Sequence, residues 1–121
     1  MRSIKFVFLS AVGAMLSSAV MAQPPQVQND HFVDVNGAAL YTFDKDMAGK
    51  STCRDNCAKN GPPALAADDD AANGDWSFVE SHDGNRQWAY KGKPLYRFIK
   101  DAKPGDTTGD GVGGVWRLAK P

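Results

Sequence analysis

Two cysteines, Cys53 and Cys57, stand four positions apart in the run Cys-Arg-Asp-Asn-Cys. Thiols at that spacing can close a local disulfide, exchange electrons with another thiol pair, or hold a soft metal. If Ser51 or Thr52 caps a short helix over Thr52 to Lys59, the two side chains lie one turn apart, close to the Cα separation that a disulfide tolerates. A loop of about five residues yields only ~2 kcal/mol of chain-entropy stabilisation, so such a bridge fixes a local turn more than it secures a fold. A redox or copper role is the alternative. It fits a thioredoxin-like fold with βαβ crossovers and long amphipathic helices, and no helical periodicity of that length is visible. Zinc is disfavoured because His31 and His82 are both far from the pair in sequence and make no spaced four-ligand set.

Three other groups of residues carry chemical potential. Ser81-His82-Asp83 has the residue types of a hydrolytic triad, but adjacent side chains diverge where a nucleophile, base and orienting acid must converge. The run reads as a turn before Gly84-Asn85, and neither Gly-x-Ser-x-Gly nor His-Glu-x-x-His occurs. Asp106-Thr107-Thr108-Gly109-Asp110-Gly111 resembles the start of a calcium loop, yet the twelfth position, where a bidentate Glu should close the coordination, is Arg117. A tight turn is the expectation there. Met47, His31, His82 and the cysteines could furnish soft copper ligands, but nothing in their spacing demands it. No catalytic residue, metal or cofactor is therefore expected.

The elements that must position these groups repeat. A shift of 55 positions lays Val35–Asp46 on Tyr90–Asp101, with Gly37/Gly92, Leu40/Leu95, Tyr41/Tyr96, Phe43/Phe98, Lys45/Lys100 and Asp46/Asp101 coinciding. One residue out of step, Gly49-Lys50-Ser51-Thr52 matches Gly105-Asp106-Thr107-Thr108, and each unit is expected to end in a Trp segment, Trp76–Val79 and Trp116–Leu118. Each copy opens as a hairpin, turning at Asn36-Gly37 or Lys91-Gly92. The strand that follows alternates, with Tyr41 and Phe43 on one face and Leu40 and Thr42 on the other; Tyr96 and Phe98 repeat this against Leu95 and Arg97. Asp46 and Asp101 fall where each strand stops, a place where carboxylates accept backbone N–H bonds. The predicted fold is mainly β: two pseudo-symmetric three-stranded repeats, about 31–80 and 86–118, forming a small sandwich or barrel, with one short helix or turn at the cysteine pair. Residues 66–74 read as a solvated acidic loop and 23–30 as a polar lead-in to a single domain over 31–121.

Arg2 and Lys5 precede an uncharged apolar stretch, Phe6 to Val20, that ends in Ala19-Val20-Met21-Ala22. That run is shorter than the ~20 residues of a membrane-spanning helix, so residues 1–22 read as a signal peptide cleaved after Ala22, leaving no transmembrane anchor. Cleavage leaves 12 basic against 14 acidic residues. With basic residues scattered singly among acids, no nucleic-acid partner is expected. A chain of 121 residues with 42% hydrophobic residues forms one small domain and excludes a two-domain enzyme.

With the repeat in view, Tyr41-x-Phe43-x-x-Asp46 and Tyr96-x-Phe98-x-x-Asp101 resemble the Tyr-x-aromatic-x-x-Asp signature of a bacterial family of secreted repeats and predicted lipoproteins. The likeness extends through Gly49–Cys57, Pro62-Pro63 and the glycine-rich run from Gly105 to Trp116. Two departures stand out: there is no lipidation cysteine, and Gly61 stands where a Trp usually precedes the Pro pair. The resemblance implies a fold and a periplasmic or secreted location. It implies no activity and transfers no catalytic residue. The functional expectation is an exported, non-enzymatic binding or structural module with an envelope partner or small ligand. The alternative is a periplasmic redox or copper-handling protein using Cys53 and Cys57.

Overall fold

Hairpins organise the chain, and short runs of positive φ mark their turns. The computed structural model describes residues 24–121; the signal peptide expected over 1–22 lies outside the described residues. Strand β1 (Gln26–Gln28) pairs antiparallel with β2 (His31–Val33) across Asn29 and Asp30, whose φ values are 52° and 71°. β4 (Trp76–Glu80), β5 (Arg86–Tyr90) and β6 (Lys93–Pro94) form a three-stranded antiparallel sheet, and Lys91 and Gly92 turn the second hairpin with φ of 50° and 82°. Two successive positive-φ residues give the turn whose twist matches its strands. The first copy is less regular. Beyond β2 the chain turns over three residues, Val35 to Gly37, with Asp34 accepting the N–H groups of Asn36 and Ala38 at 2.9 and 3.0 Å, and continues as a Val33–Ala39 bridge into β3 (Tyr41–Phe43). β3 pairs antiparallel with β7 (Trp116–Leu118).

The two copies meet about a pseudo-twofold at the tyrosines. Tyr41 N–H donates to Tyr96 O at 2.8 Å and Tyr96 N–H returns the bond to Tyr41 O at 2.9 Å. Around this point the backbone bonds come in matching pairs. Leu40 N–H donates to Phe32 O as Leu95 N–H does to Trp88 O; Ala119 N–H donates to Leu40 O as Ala64 N–H does to Leu95 O. The antiparallel bridges Tyr41–Leu118 and Tyr96–Pro63 complete the set. The match shifts by one residue inside the hairpin turn, because the first turn holds three residues and the second two. A small antiparallel sandwich results, and its sheets do not close into a barrel among the described residues.

Alternation along the signature strands divides the core in two. Tyr41, Tyr96, Phe98 and Trp116 bury one cluster with Ala39, Cys53 and Ala58, while Leu40 and Leu95 point the other way into a second cluster with Phe32, Trp88, Ala64 and Ala119. Period-two strands send successive side chains to opposite faces, so one short strand serves both clusters. Leu40 and Leu95 are fully buried, each contributing about 1.5–3 kcal/mol of apolar burial. Trp76, Phe78 and Tyr90 close the second cluster as an edge-to-face and tilted aromatic stack on Trp88 and Phe32.

Three expectations are revised. Helix α1 spans Asn56–Asn60, not Thr52 to Lys59, because the Ser51 and Thr52 hydroxyls are taken by Tyr96 and Asp46 and neither caps the helix. Asp55 precedes the helix with φ 55°, at the place where the second copy has Gly111 with φ 88°. The polar lead-in carries β1, a fully exposed strand whose Gln-Val-Gln sequence gives no burial alternation to read. Trp76–Glu80 pairs with Arg86–Tyr90, as β1 pairs with β2, so it opens the second unit rather than closing the first. The counterpart of Trp116 is Gly61.

Candidate functional site

The signature residues converge at the centre of the molecule. Asp46 Oδ1 accepts the Thr52 N–H and hydroxyl, both at 2.8 Å, and Asp101 Oδ1 accepts the Thr108 N–H and hydroxyl at 2.8 and 2.6 Å. Each carboxylate thus organises the loop that follows its own strand. Its second oxygen reaches across the pseudo-twofold: Tyr96 Oη donates to Asp46 Oδ2 at 2.7 Å, and Tyr41 Oη donates to Asp101 Oδ2 at 2.7 Å. Every unit therefore receives its tyrosine from the other. Tyr96 Oη also contacts Ser51 Oγ at 2.7 Å, while Tyr41 Oη accepts the Gly109 N–H at 3.1 Å. Burial, aided for Tyr41 by the Asp101 carboxylate and for Tyr96 by that of Asp46, holds both phenols well above their ordinary pKa. A neutral phenol that donates to a carboxylate is a brace; it is not poised to give up its proton near neutrality.

Phe43 and Phe98 flank this brace and pack with Trp116, whose ring centroid lies 4.6 Å from that of Phe43 and 6.4 Å from that of Phe98. Gly61 makes room for that indole. A Cβ there would stand 2.3 Å from the Trp116 ring. Cys53 and Cys57 are joined in a disulfide with a Cα separation of 5.3 Å, and Cys53 is buried in the same cluster. They occupy the place of Gly109 and Gly113 in the second copy, so bridge and glycine-rich run are alternative ways of shaping one loop.

The remaining candidates stay apart. Ser81 donates to the Asp83 carboxylate and accepts the Asn85 N–H inside the β4–β5 turn, and the exposed His82 is not drawn into that arrangement. Asp83 is held below the usual carboxylate range chiefly by the Ser81 hydroxyl. Asp106 accepts the Ala102 and Lys103 N–H groups, and Asp110 accepts the Leu118 N–H, so the calcium-like loop spends its carboxylates on its own backbone. Arg117 pairs with Asp44 at 2.8 Å. Buried His31 faces the Phe32 carbonyl at 3.2 Å, Met47 is exposed, and no three His, Cys, Asp or Glu side chains gather at metal-ligating distance among the described residues.

Sequence reasoning also missed a surface feature. Between the β5–β6 turn and the end of β7 lies an open groove of about 340 Å³, lined by Lys91, Lys93, Arg117 and Lys120 over a floor that includes the half-buried Tyr90 and Leu118. The four cations come from two strand ends more than twenty residues apart. They look scattered along the chain and gather only because β3 lies between β7 and the second copy.

The described residues form a duplicated, mainly β module held by a reciprocal Tyr–Asp brace, the architecture of a repeat protein. The chain belongs to the family described as a secreted repeat of unknown function, whose model matches residues 30–64 and 77–120. The first stretch begins after β1 and the second begins at Ser77, inside β4. No curated protein and no solved structure matches the chain. The family is an exported one, and no helix among the described residues is long and apolar enough to cross a membrane.

Proposed function

We propose that this protein is a non-enzymatic module of the cell envelope, working in the periplasm or outside the cell as a rigid binding or structural part. The observation that carries this reading is the fate of the signature groups. Both tyrosine hydroxyls and both aspartate carboxylates are committed to one another and to the Thr52 and Thr108 loops. Groups held in this way stabilise a scaffold and are not themselves free to act on a substrate as general base or nucleophile.

The redox or copper alternative lacks comparable support. Cys53 is 1% exposed and Cys57 half-buried, so thiol–disulfide exchange, which needs an accessible sulfur for in-line attack, would have to begin at Cys57. Protein recovered from the periplasm tests both readings. The expected result is no free thiol, no turnover in hydrolase and oxidoreductase screens, and no copper uptake after mild reduction. Turnover abolished by one substitution would refute the non-enzymatic reading, and free thiols that cycle with a periplasmic oxidant would replace it with the redox one.

A further inference from the structure

The duplication supplies an internal control for the basic groove. Matched through the paired backbone bonds, Lys93 corresponds to Ala38, Arg117 to Pro62 and Lys120 to Leu65, while Lys91 lies in the hairpin turn, where the two copies differ in length. Three of the four cations that line the groove thus stand where the same fold, elsewhere in this chain, has an apolar residue. The scaffold does not need charge at these positions. No carboxylate lies within ion-pairing distance of Lys91, Lys93 or Lys120 among the described residues; the ion pairs found there are Lys103–Asp106 and Arg117–Asp44. Three unneutralised ammonium groups above a partly apolar floor form a positive concavity.

We propose that this groove binds a small organic anion, a phosphate or carboxylate group carried on a ring or short apolar body. The volume of about 340 Å³ is at the lower end for small-molecule sites and suits a ligand of modest size. The anionic group sits among the Lys91, Lys93 and Lys120 ammonium groups, which bind as point charges without the fixed fork of a guanidinium. The body lies on the Tyr90 and Leu118 side. Arg117 is held back by Asp44 and is released to the ligand when that pair opens. The inference goes beyond the envelope-module reading and stands on the groove and the repeat comparison alone.

Titration of the full exported protein with phenyl phosphate, benzoate and neutral benzyl alcohol, followed by NMR shifts of the Tyr90–Leu95 and Arg117–Lys120 segments, tests it. Anions are expected to bind at least about tenfold tighter than the alcohol, more weakly as salt rises. The double variant Lys93→Gln/Lys120→Gln weakens phenyl phosphate about fivefold or more, while Lys59→Gln on α1, a loss of one charge outside the groove, changes it less than about twofold. Asp44→Asn, which frees Arg117, tightens binding, a gain that a merely structural role for the cations would not produce. Preference for phenyl phosphate identifies a phosphomonoester; preference for benzoate identifies a carboxylate. Equal binding of benzyl alcohol, equal weakening by Lys59→Gln, or no binding at ~10 mM anion overturns the proposal, and an unchanged Asp44→Asn removes Arg117 from it.

Discussion

Replacing Tyr96 by Phe removes one oxygen and leaves the buried ring in place. That oxygen donates to Asp46 at 2.7 Å and meets Ser51 at 2.7 Å. A hydrogen bond to a charged acceptor contributes about 1.5–3 kcal/mol, and leaving a partly buried carboxylate short of a donor costs in the same range. Asp46 keeps two bonds from Thr52 and is half-buried, so water recovers part of the loss and ~2 kcal/mol is the expected cost. For a domain of this size that lowers Tm by roughly 8–16 °C. Tyr41→Phe removes the bond to Asp101 and strands the Gly109 N–H, with a similar expected effect. Thermal unfolding by circular dichroism measures both. Combining Tyr96→Phe with Asp46→Asn is expected to cost less than the sum of the two single changes, since both remove the same bond. Two Tm shifts below about 2 °C, or a large loss for one tyrosine and none for its twin, would refute the reciprocal brace.

The other tests follow from neighbouring features. Both phenols have raised pKa values in the folded chain, so above the ordinary phenol value of 10.0 the unfolded state loses protons that the folded state keeps. Stability is therefore full below pH ~10 and falls as pH rises beyond it; an alkaline unfolding curve unchanged in the Tyr41→Phe/Tyr96→Phe variant would contradict this. Gly61→Ala drives a methyl group into the Trp116 ring and is expected to cost about 1–3 kcal/mol, read as a lower urea midpoint. Changing both Cys53 and Cys57 to Ser removes a bridge around a short loop and is expected to cost ~2 kcal/mol while the near-ultraviolet spectrum keeps its aromatic signature. Loss of that signature would make the bridge a global determinant of the fold.

Much of the architecture was legible because the sequence states it twice. Gly, Leu, Tyr, Phe and Asp coincide at fixed spacing, and period-two alternation correctly sends Tyr41 and Leu40 to different clusters. The disulfide followed from spacing and compartment. Other features were hidden by the same local view. Asp46 and Asp101 fall at strand ends, where only local turn bonds are foreseeable; their bonds to Tyr96 and Tyr41 span 50 and 60 residues and depend on how the copies face. The Trp76 strand was assigned by its tryptophan, whereas strand order is set by pairing, and Gly61 is the true counterpart of Trp116. β1 escaped notice because an exposed strand of Gln-Val-Gln has no buried face to impose a pattern. The basic groove escaped it because charge clustering across a sheet leaves no mark on linear spacing.

Each half of this molecule holds the key to the other half's lock. A lone repeat would carry a buried hydroxyl with no acceptor and an aspartate with no mate, so the smallest self-sufficient assembly is a pair, whether both members lie in one chain or in two. Selection then couples the halves on the inside and releases them on the outside. That freedom is what lets one rim become basic while its twin stays oily.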